Sequence, residues 1–196
     1  MQPTLLSTMT VRAPSRGLQT AERVAAVVFV TILTAVAAQV SVPLPFTPVP
    51  FTFQPMVVLV GAAALGARLG AASQVLYLLL GVAGLPVFAA SPALAHGAGR
   101  LLGPTGGYLM SYPLAAYVAG TLAERGFDRR YLTSVVAMGA GLAVIFACGV
   151  GWLAFGAPHA GLSTAVRTGL VPFIPADILK IFAAATVLPM AWRFLR

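Results

Sequence analysis

At 196 residues the chain suits one compact domain, and its composition is far from that of a water-soluble one. Only 8% of residues are charged and 59% are apolar, with a mean hydropathy of +0.94, against about 25% and 45–50% in ordinary soluble domains. The net charge of +8 would suit a polyanion, yet the arginines are spread among connecting segments without a dense patch, which excludes a nucleic-acid footprint and leaves an integral membrane protein.

Residues 1–19 are polar, carry Arg12, Arg16, Pro3 and Pro14, and read as a flexible cytoplasmic tail preceding one transmembrane domain over 20–196. The first apolar segment, about Thr20 to Val40, ends with small residues at Ala35 and Ala37 that imitate a secretory cleavage site. It reaches spanning length and further spans follow, so it reads as a membrane helix. From Ser41 to Pro55 a proline stands at almost every second position, which no helix tolerates; the segment predicts an extended, polyproline-like loop. Two shorter apolar segments follow, about 54–67 and 69–84, broken by Gly66, Arg68 and Gly70. After a Gly-, Ala- and Pro-rich connection from Leu85 to Pro104 come spans at about 105–123, 131–155 and 172–193. The expected fold is all-α, with six transmembrane helices.

The arginines orient these spans. With a cytoplasmic N terminus the inner side receives Arg12, Arg16, Arg23, Arg68, Arg125, Arg129, Arg130, Arg193 and Arg196, whereas the outer side receives only Arg100 and Arg167. That asymmetry obeys the positive-inside rule and places both termini in the cytoplasm. No P-loop, H-E-x-x-H or G-x-S-x-G motif occurs, and His96 and His159 stand in connecting segments without neighbouring carboxylates, so the sequence provides no catalytic constellation. The lone cysteine, Cys148, lies in an apolar run and reads as a buried structural thiol.

One pair stands out against this background. Lys180, the only lysine, follows Asp177 by three residues inside the last apolar segment. On a helix the two share a face, and ionisable groups at membrane depth mark functional sites. The pair offers an acceptor and a donor side by side with no net charge. The bland alternative has Asp177 complementing the positive end of the sixth helix while Lys180 snorkels outward.

Four stretches taken in series carry a resemblance: Pro43 to Pro55 (PLPFTPVPFTFQP), Leu76 to Phe88 (LYLLLGVAGLPVF), Leu102 to Leu109 (LGPTGGYL) and Pro172 to Lys180 (PFIPADILK). In order and spacing they resemble the biotin-specific substrate-binding (S) component of energy-coupling factor (ECF) transporters, the BioY family. The resemblance implies the S-component fold and a high-affinity biotin-binding and uptake protein of the bacterial inner membrane. It further implies partners, a transmembrane coupling subunit and cytoplasmic ATPases; biotin would be bound as transported substrate, with no cofactor and no metal.

The resemblance places Asp177 and Lys180 in the biotin pocket without assigning a ligand atom to either. Biotin offers ureido donors and an acceptor, an apolar sulfur ring and a valerate carboxylate, for which Arg100 could supply a planar donor fork. Tyr108, Tyr77, Phe51 and Gln54 could line the pocket with apolar faces and single polar tips, and the loops 41–53 and 85–99 are candidate lids. Small residues four apart on the first span, Ala21 with Ala25 and Thr31 with Ala35, suit close approach of a coupling helix. The alternatives are an S component or solitary carrier for another small vitamin, separated by ligand competition, and an intramembrane enzyme, separated by covalent change in a substrate.

Overall fold

The structure, a computed structural model, describes residues 2–10, 15–90, 95, 97–156 and 159–195. Arg12, His96 and Arg196, and part of the candidate lid 85–99, lie outside the described residues.

The N-terminal segment differs from the expected flexible tail. Leu5–Thr10 forms a short helix, α1, with Leu5 and Thr10 buried where it leans on the next two helices. The long helix α2, Arg16–Gln39, is capped by Ser15, whose hydroxyl accepts from the Leu18 N–H at 3.3 Å. At 1.5 Å per residue it is about 36 Å long, enough to cross a hydrocarbon layer of about 30 Å. Its Phe29, Ile32 and Val36 remain exposed, an apolar face suited to lipid.

The proline-rich segment is extended at its ends, which pair as a two-stranded antiparallel ladder: β1, Ser41–Val42, against β2, Phe51–Thr52, in the register Ser41 to Thr52 and Val42 to Phe51. The prolines between them supply no N–H, so pairing stops after two residues. Helix α3, Gln54–Leu65, starts at once, with Pro55 in the first turn, where a missing N–H costs nothing. It turns into α4, Ala67–Val82, at Gly66, whose φ of +90° a side chain rarely adopts.

A short helix absent from the sequence reading, α5, Gly99–Leu102, precedes α6, Gly106–Ala123. The fifth expected span is α7, Tyr131–Phe155, with the expected bounds. A third unexpected helix, α8, Leu162–Gly169, follows, then α9, Ile174–Ala184, and α10, Val187–Leu195. The expected single helix over 172–193 is therefore interrupted at Ala185 and Thr186. Pro189 explains the interruption: its ring clashes with the carbonyl four residues back, that of Ala185, and it donates no hydrogen bond there.

Helix α6 occupies the centre, packed on α3, α4 and α7. Ala115, Ala116, Ala119 and Ala123 are buried along it, and a Cβ at Gly120 would fall 2.5 Å from the Ala67 nitrogen. Backbones this close need residues this small. Among the described residues, three helical stretches are long and apolar enough to cross a membrane, Arg16–Gln39, Tyr131–Phe155 and Ile174–Phe194, while α3 and α4 are shorter apolar helices. The chain is a mostly helical membrane-type protein.

Polar contacts gather the chain ends and two helix corners at one pole of the molecule. The Gln2 N–H donates to the Glu124 carbonyl, Glu124 Oε1 accepts from the Ala67 N–H at 2.9 Å, and Arg129 Nη2 donates to the Pro3 carbonyl at 3.1 Å. The Trp192 indole donates to Asp128 Oδ2 at 2.6 Å, with the Arg129 guanidinium 4.2 Å from the Trp192 ring. Burial pushes the Asp128 carboxyl above its ordinary value, and the Trp192 hydrogen bond pulls the other way. Seven of the nine arginines expected inside are described, and Arg23, Arg68, Arg125, Arg129, Arg130 and Arg193 belong to these end segments and corners or adjoin them.

Candidate functional site

A cavity opens between the β1–β2 segment, α5, the first half of α6, α7 and the start of α9. About 590 Å³ of space among its lining residues is free of protein atoms, the open solvent at its mouth included.

Asp177 and Lys180 stand on its wall, 5% and 8% exposed. Ile174–Ala184 starts as a helix with Pro175 in its first turn, and the three-residue spacing brings the two side chains together. Lys180 Nζ donates to Asp177 Oδ1 at 2.7 Å and to the Thr52 carbonyl at 2.6 Å, and lies 3.5 Å from the centroid of the Phe51 ring. The ammonium therefore spends two of its three donors within the protein and turns toward an aromatic face. It binds the proline-rich segment to α9 and orients Asp177. It does not snorkel outward.

Gln54 forms the next part of the wall, held from both sides. Its Nε2 donates to the Tyr77 hydroxyl at 2.6 Å, and its Oε1 accepts from the Thr52 hydroxyl at 3.4 Å. The Tyr77 hydroxyl in turn donates to the Val87 carbonyl at 3.1 Å. Tyr77 is fully buried behind Gln54 and is not part of the cavity lining, so the expectation that it lines the pocket is corrected: it buttresses a residue that does. Phe51 likewise touches Lys180 from behind the wall.

Arg100, 3% exposed, lines the cavity from α5. Its Nη2 donates to the Ala89 carbonyl, while its Nε has no partner. Among the described residues the one ion pair is Asp177–Lys180, so this buried guanidinium faces no carboxylate. Burial pulls its pKa below the usual value, yet an arginine remains charged.

Tyr108 lines the cavity too, its hydroxyl donating to the Gly169 carbonyl at 2.7 Å. A Cβ at Gly169 would collide with that hydroxyl, so this glycine at the end of α8 is what lets the tyrosine tie α6 to α8.

Residues that the sequence reading missed complete the lining: Thr105, Leu109, Tyr112, Ile145, Phe146 and Phe173. Tyr112 lies one helical turn after Tyr108 and Phe173 one turn before Asp177, spacings that could have found them. Nothing in the local sequence points to Ile145 or Phe146 among the many apolar residues of α7. Of the two candidate lids, 41–53 supplies Val49, Pro50 and Thr52, and the described part of 85–99 supplies Ala89. Gln39 Nε2 secures that second loop by donating to the carbonyls of Pro86, at 3.2 Å, and Phe88, at 3.4 Å.

Two other expectations change. Thr31 is buried and its hydroxyl donates to the Ser73 carbonyl at 2.8 Å, so it serves the α2–α4 contact and offers no docking face; Ala21 and Ala25 are exposed. Cys148 is half-buried rather than buried.

A membrane protein with a largely apolar cavity and a few convergent polar groups has the architecture of a membrane solute-binding protein. The comparisons with known proteins define the class further. The fold is similar to the crystal structure of the S component for biotin from an ECF-type ABC transporter, with a TM-score of 0.80 and 24% identity, covering 92% of this chain and 95% of that one. The family model described as the BioY family matches residues 8–196, and the chain belongs to that family. Among curated relatives, the "Biotin transporter BioY" of Thermotoga maritima is 42% identical over 158 residues, 80% of this chain and 88% of the relative. The "Probable biotin transporter BioY" of Pyrococcus horikoshii is 40% identical over 168 residues, 85% and 94% of the two chains.

Proposed function

We propose that this chain binds biotin and takes it up across the cell membrane as the S component of an ECF-type transporter. The observation that carries the reading is the cavity itself: a buried acid–base pair of zero net charge, a buried arginine without a carboxylate, and a largely apolar remainder of the lining. Family membership and relatives named as biotin transporters support the ligand and the class, a carrier rather than an enzyme.

Asp177, oriented by Lys180, accepts from a ureido N–H, and Gln54, fixed by Tyr77 and Thr52, offers a donor and an acceptor to the same ring. Tyr108, Tyr112 and Phe173 enclose the apolar sulfur ring and chain, and Arg100 receives the valerate carboxylate. Six transmembrane segments, α2, α3, α4, α6, α7 and α9 with α10, carry this site toward the outer face. The arginine-rich pole with both termini faces the cytoplasm. There a transmembrane coupling subunit, energised by separate ATPases, docks on the Ala21 and Ala25 face.

Equilibrium binding of biotin to the purified chain tests the reading, with dethiobiotin, riboflavin and thiamine as competitors. Saturable one-site binding that biotin displaces, and the two other vitamins do not, is the expected result. A vitamin that binds while biotin does not would move the chain to another substrate.

A further inference from the structure

Helix α6 begins in an unusual way. Thr105 occupies its N-cap position, where a threonine oxygen ordinarily accepts from an N–H of the first turn. Here the side chain makes no capping bond. Thr105 is 5% exposed, its hydroxyl oxygen is buried without any hydrogen-bond partner, and the residue lines the cavity. Buried polar groups are nearly always satisfied, so an orphan at a cavity wall needs a partner from outside the protein.

Arg100, on the same cavity, repeats the pattern with its unpartnered Nε. The charged cavity residues are Arg100, Asp177 and Lys180, a net charge of +1 that a monoanion would neutralise. The N-terminus of an 18-residue helix adds its positive end, where the Gly106 N–H already donates to the Gly103 carbonyl at 3.0 Å. Gly106 and Gly107 let that end pack closely on its neighbours: a Cβ on Gly106 would collide with the Leu101 carbonyl, and one on Gly107 with Trp152.

We propose that Thr105 and the start of α6 form, with Arg100, a carboxylate-reading subsite that makes the protein select a free acid over its neutral derivatives. This rests on the biotin reading and extends it from the ligand to the ionisation state required of the ligand's tail. The Thr105 hydroxyl donates to one carboxylate oxygen and Arg100 Nε to the carboxylate, and the helix end stabilises the charge. Thr105 is thus a specificity-determining residue, and the neutral carboxamide gains little from any of the three.

The test compares biotin with biotinamide as probes by isothermal titration calorimetry on the purified chain. The wild-type chain should bind biotin at least tenfold more tightly than the amide. Thr105→Val should weaken biotin about fivefold or more and change the amide less than twofold, whereas Thr105→Ser should restore biotin affinity. Equal wild-type affinity for acid and amide overturns the subsite whether or not the valine variant folds, and so do equal losses on both probes. A wild-type chain that binds neither overturns the biotin reading itself, an outcome distinct from both.

Discussion

Replacing Lys180 by alanine severs the tie between the proline-rich segment and α9 and leaves Asp177 buried alone. The structure gives the size of the effect. Lys180 makes two charge-assisted hydrogen bonds, at 2.7 Å to Asp177 and 2.6 Å to the Thr52 carbonyl, and sits over the Phe51 ring. Removing one partner of a buried pair costs about 3 to 5 kcal/mol. Part of that falls on folding and part on the ligand, since Lys180 no longer holds Asp177 in place to accept from a substrate N–H. With about 3 kcal/mol charged to binding, affinity should fall at least a hundredfold, at about 1.4 kcal/mol per factor of ten. Titration calorimetry with biotin measures this, with Cys148→Ala as a control expected to match wild type within twofold. Asp177→Asn combined with Lys180→Met should do no worse than either single change, because the double change leaves no unpaired charge. A folded Lys180→Ala protein with wild-type affinity would refute the argument that this lysine organises the site.

The orientation is tested with single cysteines in a Cys148→Ala background: an impermeant maleimide should label Ser163→Cys in intact cells and Arg125→Cys only after the inner face is opened, and the reverse pattern would invert the topology. Purified alone, the chain should bind biotin without hydrolysing ATP, and ATP-driven accumulation in liposomes should appear only when separate coupling and ATPase subunits are added; accumulation by this chain alone would refute the division of labour. Ala25→Trp should reduce association with the coupling subunit and spare biotin binding, as judged by co-purification and calorimetry on the same preparation. Gly120→Val should lower the thermal midpoint markedly, because the added carbons meet the Ala67 backbone, whereas Gly139→Val, with open space around the glycine, should not.

How far the sequence discloses the site depends on how much local chemistry each residue carries. Asp177 and Lys180 are legible because charge is scarce in this chain and the helical spacing is short, so two residues define a face without any knowledge of the fold. Arg100 is legible for the same reason. Tyr77 is recognisable as important and yet misplaced, because whether a tyrosine lines a cavity or stands behind its wall depends on the α3–α4 packing that sets Gln54 in front of it. Ile145 and Phe146 are illegible: they differ in no local respect from other apolar residues on α7, and only the position of α6 selects them. The helix boundaries follow the same division. Those of α7 are marked by flanking residues and fall where expected, but α5 and α8 are too short for a periodic signal. The break at Ala185 depends on a proline four residues later. Thr105 shows the principle most directly. Its sequence neighbourhood, Gly-Pro-Thr-Gly-Gly, reads as a turn into a helix, and so it is. The hydroxyl's failure to cap that helix, while Arg100 lacks a carboxylate on the same cavity wall, is a fact of packing alone. What the sequence shows as a structural motif becomes a candidate specificity device only when the partners that each polar atom lacks can be counted.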